Sequence, residues 1–179
     1  MIRVIMTDDI KNKIVETIQD LLARVGFEGD VKLTESATAP EHSGLTEGER
    51  MSFLVASIES ESDLSMLIGK NGQNLTAFDH VARLLVSRKF NTEPGKPLVN
   101  FIVDVNDYRK SRTNYLVDVA RNVAKRVIQT QRAEALLPMN AYERRLVHTE
   151  LALFKEVQTE SIGQEPRRRI VIKPQVEIL

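Results

Sequence analysis

The sequence predicts an α+β protein made of two small units in tandem. Helix-like and strand-like apolar patterns alternate along its 179 residues, and a Gly-x-x-Gly turn joins two helices in the first half. Residues 1–107 hold 11 Lys or Arg and 17 Asp or Glu (11 − 17 = −6), whereas residues 108–179 hold 14 and 8 (14 − 8 = +6). This reversal of charge predicts a first unit over residues 1–106 and a basic second unit over residues 107–179.

The first half has the element order helix, strand, strand, helix, helix, strand. Apolar spacing of about 3.6 or 2 residues predicts helices over 8–25, 63–68 and 73–88 and strands over 31–34, 51–58 and 99–105. Small polar residues with Gly and Pro predict a surface loop over 36–50. This order gives a three-stranded sheet with helices on one face. The last strand has one strongly apolar face, formed by Val99, Phe101, Val103 and Val105.

The second half begins with a long amphipathic helix, predicted over residues 107–131. Asn140 and Glu143 have the spacing of a capping box and predict that the next helix covers 141–156. A turn is predicted at 164–166, followed by a strand over 168–173.

The turn Gly69-Lys70-Asn71-Gly72 is the first candidate for binding chemistry. Two residues without a Cβ allow a ligand to approach the backbone closely, Lys70 adds a positive charge, and the amides at the start of the next helix attract anions. These features favour contact with a sugar-phosphate backbone. The alternative is a tight helix–helix turn without a ligand.

Arg144 and His148 form the second candidate, because residues at i and i+4 share one face of a helix. We expect both side chains to be exposed, with Arg144 gripping phosphate and His148 hydrogen-bonding or stacking. The alternative is a solvated helix face that happens to carry a histidine. Further basic side chains are expected to contribute to this area, namely Arg109, Arg112, Arg145 and Arg168.

Composition and motifs give little support to an enzyme. The sequence has no cysteine, and Gly69-Lys70 lacks the earlier glycine of a P-loop, because Leu64 stands there. We expect no catalytic residues, no metal site and no cofactor. The absence of cysteine and of a long apolar run predicts a cytoplasmic protein without a membrane-spanning segment.

Several ordered strings together resemble the bacterial Jag (SpoIIIJ-associated) family. The turn Leu67-Ile68-Gly69-Lys70-Asn71-Gly72 resembles that of a type II KH domain, and the Arg144/His148 pair resembles the signature of an R3H domain. Similar strings occur at 104–109, 138–139 and 159–172. The resemblance implies a type II KH domain over 1–106, with the order α-β-β-α-α-β, followed by a small α+β R3H domain over 107–179.

The resemblance further implies an RNA-binding protein that recognises single-stranded RNA through Gly69–Gly72 and the R3H face. It implies an RNA chaperone or post-transcriptional regulator linked to cell elongation and envelope growth, with a small stand-alone KH protein as partner. Single-stranded DNA as a ligand and a homodimer remain open. The alternative function is a protein-interaction adaptor with little intrinsic nucleic-acid binding. A nuclease would need a metal-binding carboxylate cluster, which the sequence does not suggest.

Overall fold

The computed structural model describes residues 8–36, 53–90 and 100–175. The chain divides into two compact units, Met1–Tyr108 and Arg109–Leu179, and both combine helices with a three-stranded sheet. The predicted α+β class is therefore confirmed, whereas the placement of a KH–R3H boundary at 106/107 stays a prediction. The loop predicted over 36–50 lies outside the described residues except for Ser36, the last residue of a strand.

The first unit follows the predicted order of elements. They are α1 (Asp8–Arg24), β1 (Asp30–Ser36), β2 (Phe53–Glu59), α2 (Ser65–Ile68), α3 (Gln73–Lys89) and β3 (Asn100–Val105). The sheet has the order β1-β2-β3, with β1 antiparallel and β3 parallel to β2. A parallel neighbour needs a long crossover connection. Here that connection contains α2 and α3, the two helices that flank the glycine turn.

The core of the first unit lies between the helices and one face of the sheet. Ile14, Ile18 and Leu22 recur every four residues on α1, and all three are buried, so they form its inner stripe. Phe101, Val103 and Val105 of β3 enter the same core, as predicted. The opposite face of β3 is covered at one point as well, because Ile102 is buried there against Phe53 of β2.

The second unit also contains three strands. Its elements are α4 (Tyr108–Thr130, whose first residue belongs to the first unit), β4 (Glu134–Ala135), α5 (Ala141–Leu151), β5 (Val157–Ile162) and β6 (Arg169–Pro174). The sheet is antiparallel with the order β4-β6-β5, so β6 is central and β5 forms one edge. Helices α4 and α5 share one core with this sheet through Ala120, Val127, Val147 and Ile172.

One prediction for this unit is wrong in its bounds, and two of its strands were not predicted. Helix α5 ends at Leu151, not at residue 156, because the chain must reverse before β5 begins at Val157. Strands β4 and β5 were not predicted. The inward side of β5 carries Val157, Thr159 and Ser161, so the apolar alternation typical of a strand is weak there.

Candidate nucleic-acid interface

The turn between α2 and α3 has an unusual backbone. Gly69 has φ 70° and ψ −179°, Asn71 has φ 54°, and Gly72 has φ 75°. Positive φ angles disfavour side chains with a Cβ, although asparagine tolerates the left-handed region better than most residues. A single 3₁₀ turn, Lys70–Gly72, fills the gap between the helices, and Gly72 N–H donates to the Gly69 carbonyl at 3.2 Å. The four residues therefore form a defined corner.

Both glycines are required by packing within the protein. A Cβ on Gly72 would lie 2.8 Å from Cε1 of Tyr108, and a Cβ on Gly69 would lie 2.5 Å from Cγ of Asn74. The Asn74 amide in turn donates to the Met66 carbonyl at 2.8 Å, which ties α3 to the end of α2. Close approach of a ligand was the predicted reason for these glycines, and packing against Tyr108 and Asn74 is a second reason, internal to the protein.

The surface of the corner presents both charge and apolar area. Lys70 is exposed and forms no ion pair with any residue that the structure describes. No side chain caps the N-terminus of α3. The Met66 side chain of α2, which was not predicted to belong to the site, is 77% exposed and can pack against a base. Against these features, hydrogen bonds from Ser65 keep the pKa of the Asp63 carboxyl below its ordinary value, so a negative charge persists nearby.

Helix α5 is anchored at its N-terminus by the predicted capping box. The Asn140 side chain accepts from the Glu143 N–H at 2.9 Å, and the Glu143 carboxylate accepts from the Asn140 N–H at 2.9 Å. The buried Glu143 carboxylate also binds Nε of Arg112 at 2.8 Å. The guanidinium of Arg112 lies 5.6 Å from the ring centroid of Tyr115. Arg112, predicted to bind RNA, thus supports the start of α5.

The expectation that Arg144 is exposed is wrong. Arg144 is only 8% exposed, Nη1 donates to the Met139 carbonyl at 2.8 Å, and Nη2 pairs with Glu165 at 2.7 Å. Two acceptors from different segments draw the guanidinium inward, and burial of a charge is tolerated when it is paired in this way. Arg144 therefore ties α5 to the residues before it and to the turn between β5 and β6.

His148 differs from Arg144, one helical turn away. It is exposed, as expected, and its Nδ1 is hydrogen-bonded to the Thr159 hydroxyl of β5. Arg168, just before β6, is also exposed, and its Nε donates to the Ser161 hydroxyl at 2.9 Å. The two β5 hydroxyls were missed as site residues. A polar i, i+2 pair near the predicted Arg168 could have indicated them, but the strand itself was not predicted.

The remaining predicted residues differ in their exposure. Arg145 is exposed and has no ion pair among the described residues, whereas Arg109, at the start of α4, is half-buried and already engaged. Within the described ranges, no three His, Asp or Glu side chains are arranged to hold a metal ion. Nor is any described helix long and apolar enough to cross a membrane.

Comparisons with known proteins agree with this arrangement. The R3H domain family matches residues 114–174. The RNA-binding protein KhpB of Clostridium symbiosum is 28% identical over 172 residues, which is 96% of this chain and 69% of that protein. KhpB of Lactiplantibacillus plantarum is 36% identical over 107 residues (60% of this chain, 32% of that protein), and KhpB of Bacillus subtilis is 33% identical over 110 residues (60% and 50%). The chain thus spans about two thirds of the first relative and half or less of the other two.

Proposed function

The chain belongs to the Jag family, and we propose that it binds single-stranded RNA through the Gly69–Gly72 corner and the exposed basic face of its R3H unit. The observation that carries the proposal is the corner itself. Its left-handed backbone presents Lys70 next to an uncapped helix N-terminus, an arrangement suited to a phosphate. The relatives named as RNA-binding proteins support the choice of RNA.

Single-stranded rather than duplex RNA suits both areas. Side chains cannot read the deep major groove of an A-form helix, whereas unstacked bases and a flexible backbone can adapt to a small surface. The corner would contact the backbone, and the exposed Met66 beside it would pack against a base. In the second unit Arg145, His148 and Arg168 would be the exposed contacts. Arg109, half-buried at the start of α4, would contribute charge, while Arg112 and Arg144 support the start of α5 and its surroundings.

The family relationship extends the proposal to the cell. As a Jag protein, the chain would act in the cytoplasm as an RNA chaperone or post-transcriptional regulator linked to cell elongation and envelope growth, without catalysis. A small stand-alone KH protein would be its partner. One observation favours a protein contact: α3 exposes Val81, Leu84 and Leu85, which lie at i, i+3 and i+4 on one side of the helix. The same face could serve a homodimer or the alternative adaptor function.

The corner is tested by reversing its charge in the whole chain. Lys70→Asp combined with Asn71→Asp keeps both glycines and uses residues that tolerate a positive φ. We expect RNA binding, measured by fluorescence anisotropy with a labelled single strand, to weaken by about 1–3 kcal/mol, as for a few lost charge-assisted contacts. Unchanged affinity in a variant that melts like wild type would remove the corner from the site.

Lys89→Asp is the matched control, because Lys89 is exposed at the far end of α3. It stands 19 residues beyond Lys70, roughly 28 Å along a helix, which exceeds the Debye length of about 8 Å at physiological salt. Its affinity should therefore stay close to wild type. A linear fall of log affinity with log salt would support backbone contacts, and no measurable wild-type binding at low salt would favour the adaptor. A DNA strand of the same sequence tests the choice of sugar.

A further inference from the structure

The two hydroxyl groups of β5, on Thr159 and Ser161, hold basic side chains in place beside α5. In the β5–β6 register Thr159 lies opposite Ile172 and Ser161 lies opposite Ile170, and both isoleucines are buried in the core. Directly opposed residues share a face of the sheet, so both hydroxyls face the helices. Being two residues apart on a strand, they are separated by roughly 6.6 Å. His148 and Arg168, bound to these hydroxyls, are thus held next to each other along the edge strand.

The hydrogen bonds that hold His148 and Arg168 leave donors free for a ligand. Nδ1 of His148 is hydrogen-bonded to the Thr159 hydroxyl, so Nε2 is the ring nitrogen that remains for contact with a ligand. A hydroxyl can donate or accept. When it donates to Nδ1, the neutral ring carries its proton on Nε2 and can donate to a ligand. When it accepts from Nδ1–H of a neutral ring, Nε2 is an acceptor instead, so the cradle requires the first arrangement. Arg168 uses Nε for Ser161, so the two terminal nitrogens remain as a fork for a bidentate contact.

The acidic side chains nearby are turned away or balanced. Glu160 stands between Thr159 and Ser161, so it points to the opposite face of the strand, where it pairs with Lys173. Glu165 is paired with Arg144 at 2.7 Å. Neither carboxylate opposes an anion at His148 and Arg168. A ligand that offers only acceptors, spaced regularly along a chain, fits two adjacent donors of this kind.

We propose that Thr159 and Ser161 are positioning residues that orient His148 and Arg168 as a cradle for neighbouring phosphates of single-stranded RNA. The inference rests on the proposed function and specifies what the R3H unit recognises, namely the backbone and not the bases. Arg145, three residues before His148 on the same side of α5, adds charge at the border of the cradle.

The test compares hydroxyl-free and hydroxyl-bearing variants of the full chain. Thr159→Val keeps the β-branched shape that suits a strand but cannot hold His148, and Thr159→Ser keeps the hydroxyl. We expect Thr159→Val to weaken binding of a labelled single strand about three- to tenfold, the effect of one ordinary hydrogen bond, and Thr159→Ser to bind like wild type. The loss should be equal for A-rich and U-rich strands, since their phosphates are identical. Ser161→Ala and Ser161→Thr repeat the comparison for Arg168.

Two further measurements separate orientation from stability. Because Thr159 acts through His148, the double variant His148→Ala/Thr159→Val should bind no more weakly than His148→Ala alone. In ¹⁵N spectra of the neutral ring, wild-type His148 should show one tautomer with the proton on Nε2, and Thr159→Val should show a mixture.

Wild-type affinity in Thr159→Val, or full additivity with His148→Ala, would overturn the cradle. If the wild-type chain did not bind RNA at low salt, the proposed function would fall and the cradle with it. The two failures are therefore distinguishable.

Discussion

Arg144→Ala separates the contribution of this side chain to stability from any contribution to binding. The Arg144 guanidinium donates to the Met139 carbonyl at 2.8 Å and pairs with Glu165 at 2.7 Å. Alanine leaves that carbonyl without its donor and the carboxylate without its partner, and it leaves space where a buried stem was packed. We therefore expect the second unit to become less stable and its binding face to lose order only indirectly.

The magnitude follows from the two contacts. A hydrogen bond that involves a charged group contributes about 1.5–3 kcal/mol. The Glu165 side chain is 58% exposed, so its pairing with Arg144 is screened by solvent and adds about 0.2–1 kcal/mol. Together these terms predict a loss of about 2–4 kcal/mol in the free energy of unfolding. Arg144→Lys should recover part of this loss, because an ammonium can reach one acceptor but lacks the planar fork.

Urea unfolding followed by circular dichroism measures this loss, and hydrogen exchange in β5 and β6 localises it. Arg145→Ala is the matched control. Arg145 is the next residue, exposed, and without an ion pair in the described part of the chain, so its removal should change stability by less than about 0.5 kcal/mol while lowering RNA affinity. The reasoning is refuted if Arg144→Ala melts like wild type but binds RNA poorly, while Arg145→Ala binds normally.

Three further predictions concern stability. Gly72→Ala should lower the free energy of unfolding by about 1–3 kcal/mol, because the φ angle at this position is 75° and the new Cβ would meet the Tyr108 ring. In a Tyr108→Leu background the loss should be smaller, since only the part due to the clash is recovered. Equal losses in both backgrounds would contradict this prediction. Asp79→Asn should destabilise the first unit by about 1–3 kcal/mol in thermal or urea melts. The buried carboxylate accepts a hydrogen bond from the Val103 N–H of β3 at 2.7 Å and pairs with Arg83. Unchanged stability would mean that the amide replaces both contacts. The Arg126 guanidinium holds the pKa of Glu134 below its ordinary value. This pair therefore stabilises the fold at pH values above the ordinary carboxyl pKa, and the stabilisation is lost as pH falls through the lowered pKa. When urea unfolding is measured at several pH values, Arg126→Gln should show a smaller loss of stability over that range than wild type.

The element order of the first unit could be predicted because each element carries a strong period. On α1 the four-residue recurrence of Ile14, Ile18 and Leu22 matches one buried stripe, and on β3 the alternation of Phe101 and Val103 matches one face. The burial of Ile102 on the other face was not predicted, because alternation alone does not distinguish an apolar residue that is covered from one that is not. The conformation of the glycine corner follows from two glycines and an asparagine, the residue types that accept positive φ.

Strand β5 and the β5 hydroxyls could not be predicted with the same rules. Thr159 and Ser161 occupy inward positions, where period-2 alternation predicts apolar side chains. Their hydroxyls are instead hydrogen-bonded to His148 on α5 and to Arg168 before β6. A strand that carries a polar site on its inward face is therefore hidden from hydrophobic periodicity. The same reasoning explains why α5 was predicted to continue to residue 156: nothing in 152–156 is a strong helix breaker, and only the pairing of β5 requires a reversal there.

The spacing of Arg144 and His148 predicts a shared helical face but says nothing about how deep that face lies. The two side chains differ because a carbonyl and a carboxylate lie within reach of Arg144, while a single hydroxyl lies beside His148. The net charge of the second unit likewise includes basic side chains that are held in ion pairs and others that are not. Ion pairs with glutamates fix the side chains of Arg112, Arg121, Arg126, Arg144 and Lys173 and cancel their fields locally. The excess of +6 over residues 108–179 must then act at basic groups that form no such pair, among them Arg145 and Arg168. We therefore expect long-range attraction of RNA to depend on these groups more than on the total charge of the unit, and Arg145→Ala to lower it more than Arg126→Ala.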